Sequence, residues 1–509
     1  MTEVDYSNAF DRESADKFAA READWRNGSV VYQVIVDRFV PSANLDAKRH
    51  LYPAPKTLHS WDEVPTGGVY LDDEKLWSHE IAFWGGDLAS TRTKLDYIKE
   101  LGVDVLYLNP IALSYTNHGY DGLDYNEVSP ELGTRDDVRD LATSLHAMGL
   151  KLVLDGVFNH MGRNSEHFKS AESDVNSPYR SWFFFGAQYP GGARAWALAE
   201  NLPELVLENP EVTDYIYNGS DSVVRGYLRD GVDGWRLDVG HDIGMKYLQE
   251  LTDAAHDEKP GSLVVGEIWC YPKEWFPAVD AIMNFTAREI ILGVVKGDIS
   301  QSLASAMLER MHAEPGYDNL LKSWIVLDNH DTIRLTNALP EWSQRRLAQI
   351  LQFTLPGAPN LYYGTELGMS GGDDPEMRAP MRWDWVNDSN ETLAWTRKLI
   401  DLHQNNRALR IGDYRTVVSE KLLAFERYTD RVADTVVVII NPSDVEVSER
   451  VLVPNSKLMN ATVMIDQFTG EQVRIHSGLL FVTVPARGAL VLVPHVAEHN
   501  GYTTYKRVN

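Results

Sequence analysis

The chain has 509 residues, 44% of them hydrophobic, and 74 acidic against 48 basic side chains, a formal net charge of −26. That length predicts two or three domains, and the acidity argues against nucleic-acid partners, which need a basic surface. A single cysteine, Cys270, excludes an intramolecular disulfide framework. With no apolar run near the roughly 18 residues of a membrane span, and an acidic start unlike a secretory signal, a cytoplasmic protein without membrane partners is expected.

Residues 1–28 read as a polar, helical lead-in. Val30–Phe39 (VVYQVIVDRF) reads as a strand, followed by an irregular aromatic loop to about Trp84. Leu88, Leu95 and Ile98 recur at helical spacing, and Val103–Pro110 is a buried strand stopped by proline. Thr134 with Asp137 forms a capping-box signature, opening a helix with Val138, Leu141, Leu145 and Met148 on one stripe. Lys151–Phe158 is the third strand. Strand, helix, strand, helix, strand predicts a parallel sheet under helices. Residues 160–210 break that rhythm and read as an inserted subdomain. It resumes with a helix near Val212–Arg229, a strand at Gly234–Val239 and a helix at Gly244–His256. The strands SLVVGEIW and AIMNF follow, then one long helix near Arg288–Met311. SWIVLD, a helix at Glu341–Leu355, NLYYG and a helix at Glu391–Asn405 complete eight strands, which predicts a (β/α)8 barrel over 29–159 and 211–411. From 412 to 509 the period changes to two, as in an all-β sandwich domain.

Active residues of such a barrel sit at the C-terminal strand ends. Those ends carry Asp155 with Asn159 and His160, then Arg236 and Asp238, then Glu267, then His330 and Asp331. Arg236 and Asp238, two apart, share a strand face. The pairing predicts a depressed pKa and an ionised Asp238, suited to a nucleophile; taken in isolation, an R-x-D on a strand reads first as a structural ion pair. Glu267 follows the apolar run LVVG, and an apolar wall suits a proton donor. Two carboxylates flanking a bond, with a third nearby, fit retaining glycoside hydrolysis. A metal site competes, since Asp, Glu and His are also ligands, but Arg236 would repel a cation. Cys270 reads as a buried packing residue.

The segments DGVFNH, GWRLDVGHD, GEIW and VLDNHDT, in that order along the barrel, resemble the four signatures of the α-amylase family, glycoside hydrolase family 13. The resemblance implies Asp238 as nucleophile, Glu267 as general acid/base and Asp331 as transition-state stabiliser. It implies that Arg236 orients the nucleophile, that His160 and His330 bond hydroxyls of the cleaved ring, and that Asp155 and Asn159 support them. HGYDGLDY is similar to the family's second-strand loop, which makes Tyr120 a stacking platform and His118 a further sugar contact. VVYQVIVDRF, FWGGDL, YRSWFFFG, LPELVLENPEV and LYYGTELGMSGGDDPEMRAPMRWD resemble the cyclomaltodextrinase, neopullulanase and maltogenic amylase group. By that likeness Asp374 and Arg378 hold the non-reducing end of the substrate, although the pair also reads as an exposed salt bridge on a loop.

The likeness has departures. Those relatives carry an N-terminal β domain ahead of the barrel, where this chain has about 28 residues. Val206 and Asp242 stand where the family's usual calcium site needs ligands, so that site is expected to be absent and no cofactor to be required. Asn44, Asp46, the Gly85 carbonyl and Asp87 could form a different structural Ca²⁺ loop from hard oxygen donors, or simply a polar loop.

The sequence thus predicts a retaining hydrolase of α-1,4 and, as a second linkage, α-1,6 bonds in maltooligosaccharides, cyclodextrins or related dextrins. A transglycosylase or glucosyl isomerase on the same residues is the alternative, with His241 and Asp242 on the acceptor side. A non-catalytic binding subunit is a third reading, weakened by the presence of all three carboxylates. Oligomeric state is left open.

Overall fold

The structure, a computed structural model, describes residues 9–495, 501–502 and 507–508. The first eight residues of the anticipated lead-in and parts of the chain after 495 lie outside the described residues.

Eight parallel strands close into a barrel: β1 (Val31–Val34), β2 (Val105–Leu108), β3 (Lys151–Gly156), β4 (Gly234–Leu237), β5 (Leu263–Ile268), β6 (Ala281–Asn284), β7 (Trp324–Val326) and β8 (Ala358–Tyr362). Each pairs with the next, and β8 returns to β1 through Val31↔Asn360 and Tyr32↔Leu361. Alternation along each strand divides two cores. Val31, Val105, Tyr107, Val153, Val265, Met283, Trp324 and Ala358 fill the barrel interior. Tyr32, Val34, Leu106, Leu152, Leu154 and Leu237 face the surrounding helices.

The main covering helices are α1 (Leu95–Leu101), α2 (Arg135–Ala147), α3 (Val223–Arg229), α4 (Met245–Glu258), α5 (Phe285–Lys296), α6 (Gln301–Ala313), α7 (Trp342–Thr354) and α8 (Glu391–Asn405). The Thr134–Asp137 capping box is formed and starts α2. Ahead of the barrel, Ala9–Ala23 is helical.

Three elements differ from the sequence expectation. The first strand stops at Val34, and Val36–Phe39 is a single helical turn. There Asp37 accepts from Trp84 N and Gly85 N, which fixes the following loop against the turn. The long helix expected over Arg288–Met311 is two helices, α5 and α6. Gly297 adopts φ +89° and caps α5 in the left-handed region that glycine tolerates. The helix expected over Val212–Arg229 is a turn at Pro210–Thr213, a π-helical turn at Asp214–Asn218, and α3.

Between β3 and α3, residues 160–210 carry one helix, Glu166–Ser173, and short 3₁₀ turns. A bridge from His160 to Glu204 ties the segment's two ends together, and one from Phe183 to Leu205 ties its middle to the second end. After α8, eight strands run antiparallel: β9 (Asp413–Thr416), β10 (Leu423–Tyr428), β11 (Val436–Asn441), β12 (Val447–Leu452), β13 (Val463–Asp466), β14 (Gln472–His476), β15 (Leu479–Val484) and β16 (Gly488–Pro494), ordered β9-β10-β11-β16-β13-β14-β15-β12. Val437, Ile439, Val451, Leu480, Val482 and Leu492 meet in its own core. Among the described residues no helix is long and apolar enough to cross a membrane.

Candidate active site

The interior alternation that buries Val153 and Val265 places Asp155 and Glu267 two residues further along, on the same inner face at the C-terminal mouth. Register sets Arg236 beside Asp155 on one side and Val265 on the other. Arg236 is fully buried (0% exposed). Its Nη1 donates to Asp155 Oδ1 at 2.9 Å and to Asp238 Oδ1 at 3.0 Å. Its Nη2 lies 3.0 Å from Glu267 Oε2, an ion pair without hydrogen-bond alignment. One guanidinium therefore touches three carboxylates.

Glu267 is met by donors and not by the apolar wall anticipated from LVVG. Trp269 Nε1 donates to Oε1 at 2.9 Å, and Val239 N donates to Oε2 at 2.8 Å. The alternation explains the difference: Leu263 and Val265 pack in the barrel interior and Val264 against the covering helices, while the carboxylate stands at the mouth among donors. Val239, directly after Asp238, sits at φ +41°, an uncommon conformation for a β-branched residue. Strain of this kind collects at functional sites, and here it aims an amide at Glu267.

Asp238 also corrects an expectation. Burial pushes its carboxyl well above the usual range; Arg236 opposes this, but Glu267, Asp155 and Asp331 add to it. One cation cannot offset burial and three neighbouring negative charges. Asp155 is raised too, chiefly by burial and against Arg236. It has no free face toward the mouth: Tyr107 Oη (2.6 Å) and Tyr120 Oη (2.9 Å) both donate to its Oδ2.

Asp331 follows β7 at the rim, with 33% of its side chain exposed. Its amide donates to Asn329 Oδ1 at 3.1 Å, and Arg378 Nη2 lies 3.6 Å away. Enclosure raises its carboxyl against the pull of Arg378 and Arg236. His330 stacks on Tyr120 (5.2 Å, 5°). Gln33 Nε2 donates to His330 Nδ1 at 2.9 Å and to Asn109 Oδ1 at 3.0 Å, which leaves Nε2 to carry the proton toward Tyr120 Oη and Asp331. Burial, helped by Arg236, holds His330 well below its ordinary value, so it is neutral. His160 is lowered to about 4 by burial. Its Nε2 faces the Tyr120 carbonyl at 3.1 Å, and Asn159 Nδ2 lies 3.3 Å from its Nδ1.

On the other side of Tyr120, His118 accepts from Tyr120 N and meets Glu80 Oε1 at 3.2 Å. Asp374 Oδ1 pairs with Arg378 Nη1 at 2.9 Å, and its Oδ2 meets His79 Nε2 at 3.2 Å. Burial would raise Asp374, but His79 and Arg378 outweigh it and hold the group at about 2. His241 is exposed, and Asp242 accepts from Trp196 Nε1 at 3.0 Å. Trp196, from the inserted segment, also stacks on His160 (5.8 Å, 26°).

The sequence reading missed Tyr107, Gln33 and Asn109, which alternation on β1 and β2 could have placed on the inner face. It also missed His79, Glu80 and Trp196, which lie in irregular loops without a period to signal them. Cys270 is exposed, where a buried packing residue was expected, and accepts from Trp275 Nε1 at 3.1 Å; the strand's burial pattern ends before it.

The anticipated calcium loop does not fit the ion. Lys48 Nζ holds Asp87 at 2.8 Å, and Asp87 also caps a helix through Ser90 N. Asp46 pairs outward with Arg49, 93% exposed, and the Gly85 carbonyl accepts from Ser42 N. Asn44 is exposed beside them. An ammonium already neutralises the best ligand. Among the described residues no group of three or more His, Cys, Asp or Glu could hold a metal.

A closed parallel barrel whose polar and charged side chains gather at the C-terminal mouth, here around Arg236, Asp238 and Glu267, is the architecture of the barrel enzymes. The alpha amylase catalytic domain family matches residues 33–413, and the chain belongs to that family of glycoside hydrolases. It is 31% identical to Neopullulanase 2 of Thermoactinomyces vulgaris over 487 residues, 92% of this chain and 78% of that one. It is 30% identical to a cyclomaltodextrinase of Bacillus sp over 434 residues, 82% and 73% of the two chains. In structure it resembles the cyclic α-maltosyl-(1→6)-maltose hydrolase of Arthrobacter globiformis, with a TM-score of 0.78 and 28% identity over 93% of this chain and 99% of that one.

Proposed function

We propose that the protein is a retaining α-glucan hydrolase. It cleaves α-1,4 bonds, with α-1,6 bonds as a second linkage, in maltooligosaccharides, cyclodextrins and related dextrins. The observation that carries this reading is Arg236, within 3.0 Å of both Asp238 and Glu267, which keeps two carboxyl groups within reach of one glycosidic bond. The names of the relatives support the substrate class: one acts on cyclomaltodextrins, and the Arthrobacter hydrolase has been seen with its cyclic substrate and with maltose.

In this mechanism Asp238 attacks C1 of the sugar, and Arg236 favours its ionised form. Glu267 protonates the departing oxygen, then takes a proton from water as the ester is hydrolysed. Asp331 stabilises positive charge on the ring at the transition state. Neutral His330 and His160, with His118 and the Tyr120 ring, hold the sugar being cleaved; Asp374 and Arg378 hold its non-reducing end. Asp155 and Asn159 act through others, fixing Arg236, Tyr120 and His160.

Transfer to a sugar hydroxyl uses the same residues. Trp196 and Trp269 stand beside His160 and Glu267, where indole rings displace water and favour such an acceptor.

The test is a product time course on maltoheptaose, β-cyclodextrin and pullulan, with anomeric configuration read by NMR. Maltose and glucose released first as α-anomers support the reading. First-formed β-anomers, or all three substrates untouched, would reject it.

A further inference from the structure

A cavity of about 620 Å³ is lined by Trp269, Tyr271, Phe285, Ile290, Ile299 and Met307, and Trp269 connects it to Glu267 through its indole N–H. Its size suits a small ligand, and its walls are apolar. Four polar groups also reach it, and each already has a partner; the Tyr271 hydroxyl donates to Glu314 Oε2 at 2.7 Å. Glu289 pairs with Arg288, Arg310 with Glu314, and Thr286 Oγ1 donates to the Cys270 carbonyl. Those groups are engaged with one another and with their neighbours, and the rest of the lining is apolar side chain that suits a hydrocarbon better than the hydroxyls of a glucose ring.

The cavity's position is equally particular. Trp269 and Phe285 follow β5 and β6. Asp374 and Arg378 follow β8, His79 and Glu80 follow β1, and His118 follows β2. In a ring of eight strands β5 lies opposite β1. The cavity is thus across the mouth from the residues assigned to the non-reducing end, on the side from which a leaving group departs. Trp269 joins the two sites. One indole face stacks on Phe285 (3.6 Å, 10°), its Nε1 holds Glu267, and 47% of the residue is exposed.

We propose that this cavity is a leaving-group and acceptor site for a hydrophobic alcohol, an alkyl or aryl aglycone, in place of a further sugar. The proposal rests on the hydrolase reading. In cleavage, Asp238 forms the ester to C1, the C1–O bond to the aglycone breaks, and Glu267 gives its proton to that oxygen. In synthesis, the alcohol oxygen attacks C1 of the ester, its proton passes to Glu267, and Asp238 leaves as carboxylate.

The experiment compares methyl, butyl and octyl α-maltosides, whose leaving oxygens are chemically alike, below their micelle concentrations. Burial of even two methylenes gives at least about a tenfold fall in KM from methyl to octyl. Met307→Glu should abolish that fall, Met307→Leu should keep it, and neither should change methyl α-maltoside or maltotriose kinetics. A KM independent of chain length, with methyl α-maltoside cleaved, overturns the proposal and leaves the hydrolase reading standing. So does a chain-length effect that survives Met307→Glu. A dimer that Met307→Glu converts to monomer, without any chain-length effect, would assign the face to a second copy of the chain and also overturn it. If no maltoside or maltotriose is cleaved, the hydrolase reading fails. Calorimetry then decides the cavity: octyl α-maltoside binding lost in Met307→Glu retains it as an alkyl site, and equal binding overturns it.

Discussion

Arg236 is a single guanidinium set against Asp155, Asp238 and Glu267, and that imbalance has consequences for both rate and stability. The raised carboxyl of Asp238 puts the acid limb of kcat/KM above the ordinary aspartate range, near 4. Activity falls as pH drops through that raised value, and a pH–rate profile on maltoheptaose reads it. The stability effect has the opposite sense. A group whose folded pKa lies above its unfolded value binds more protons when folded, so its contribution is present below the unfolded pKa and lost as pH rises through the folded one. Asp238→Asn removes the charge that must be buried at neutral pH. It should lower kcat at least about 10⁴-fold and raise Tm at pH 7, with the gain vanishing near pH 4; calorimetry at both values checks it. Trp269→Phe keeps the stacked ring on Phe285 and removes only the donor to Glu267. Loss of that donor should cost kcat/KM about tenfold, read in steady-state kinetics on maltoheptaose. Gly86 shows why FWGGDL needs its second glycine: a Cβ there would stand 2.1 Å from the Val36 carbonyl oxygen.

At the scale of elements, Gly297 between α5 and α6 separates space from conformation. A Cβ at this position meets nothing within 4 Å, yet φ is +89°. Gly297→Ala should therefore lower stability by about 1 kcal/mol through the backbone alone, seen in a denaturant titration, with kcat intact. The same residue explains why one long helix was legible where two exist. Apolar periodicity carries across a glycine, and only the left-handed turn interrupts it. Elements with a strong period and a physical stop were readable, as with the capping box before α2 and the proline after β2. The mouth was readable because strand ends are numbered by the alternation that builds the core: Val153 announces Asp155, and Val265 announces Glu267. What the sequence hid was contact across loops. Nothing local in DVLYLNP says that Tyr107 will donate to Asp155, and nothing in SHEI says that His79 will meet Asp374. Those depend on how close separate carboxylates and cations are brought, which also decided the direction of Asp238.

Across the whole molecule, the β domain is tied to the barrel by buried polar contacts as well as packing. Arg427, fully buried on β10, donates to the Thr354 carbonyl at the end of α7 and to the Gly412 carbonyl. Arg487 reaches the Val295 carbonyl on α5, and Trp395 of α8 packs against Phe468 at 5.2 Å. Arg427→Ala would leave the Thr354 carbonyl without its donor, the Gly412 carbonyl with Tyr317 Oη alone, and an empty space between the domains. It should lower global stability by about 2–4 kcal/mol and leave KM for maltoheptaose unchanged, since no contact in this interface touches the mouth; chemical denaturation and steady-state kinetics together check it.

Closure of the barrel between Val31 and Asn360 sets a schedule for the protein's birth. A strand made early waits for a partner some 330 residues later, a delay of roughly 20–60 s at ordinary ribosomal speed. Until then the edge of β1, and that of whichever strand was made last, stays open, a template for pairing with a neighbour. The gap favours a chaperone that shelters the nascent half. It also means that Asp238 and Glu267, though long since synthesised, acquire a rigid floor only when the last strand arrives.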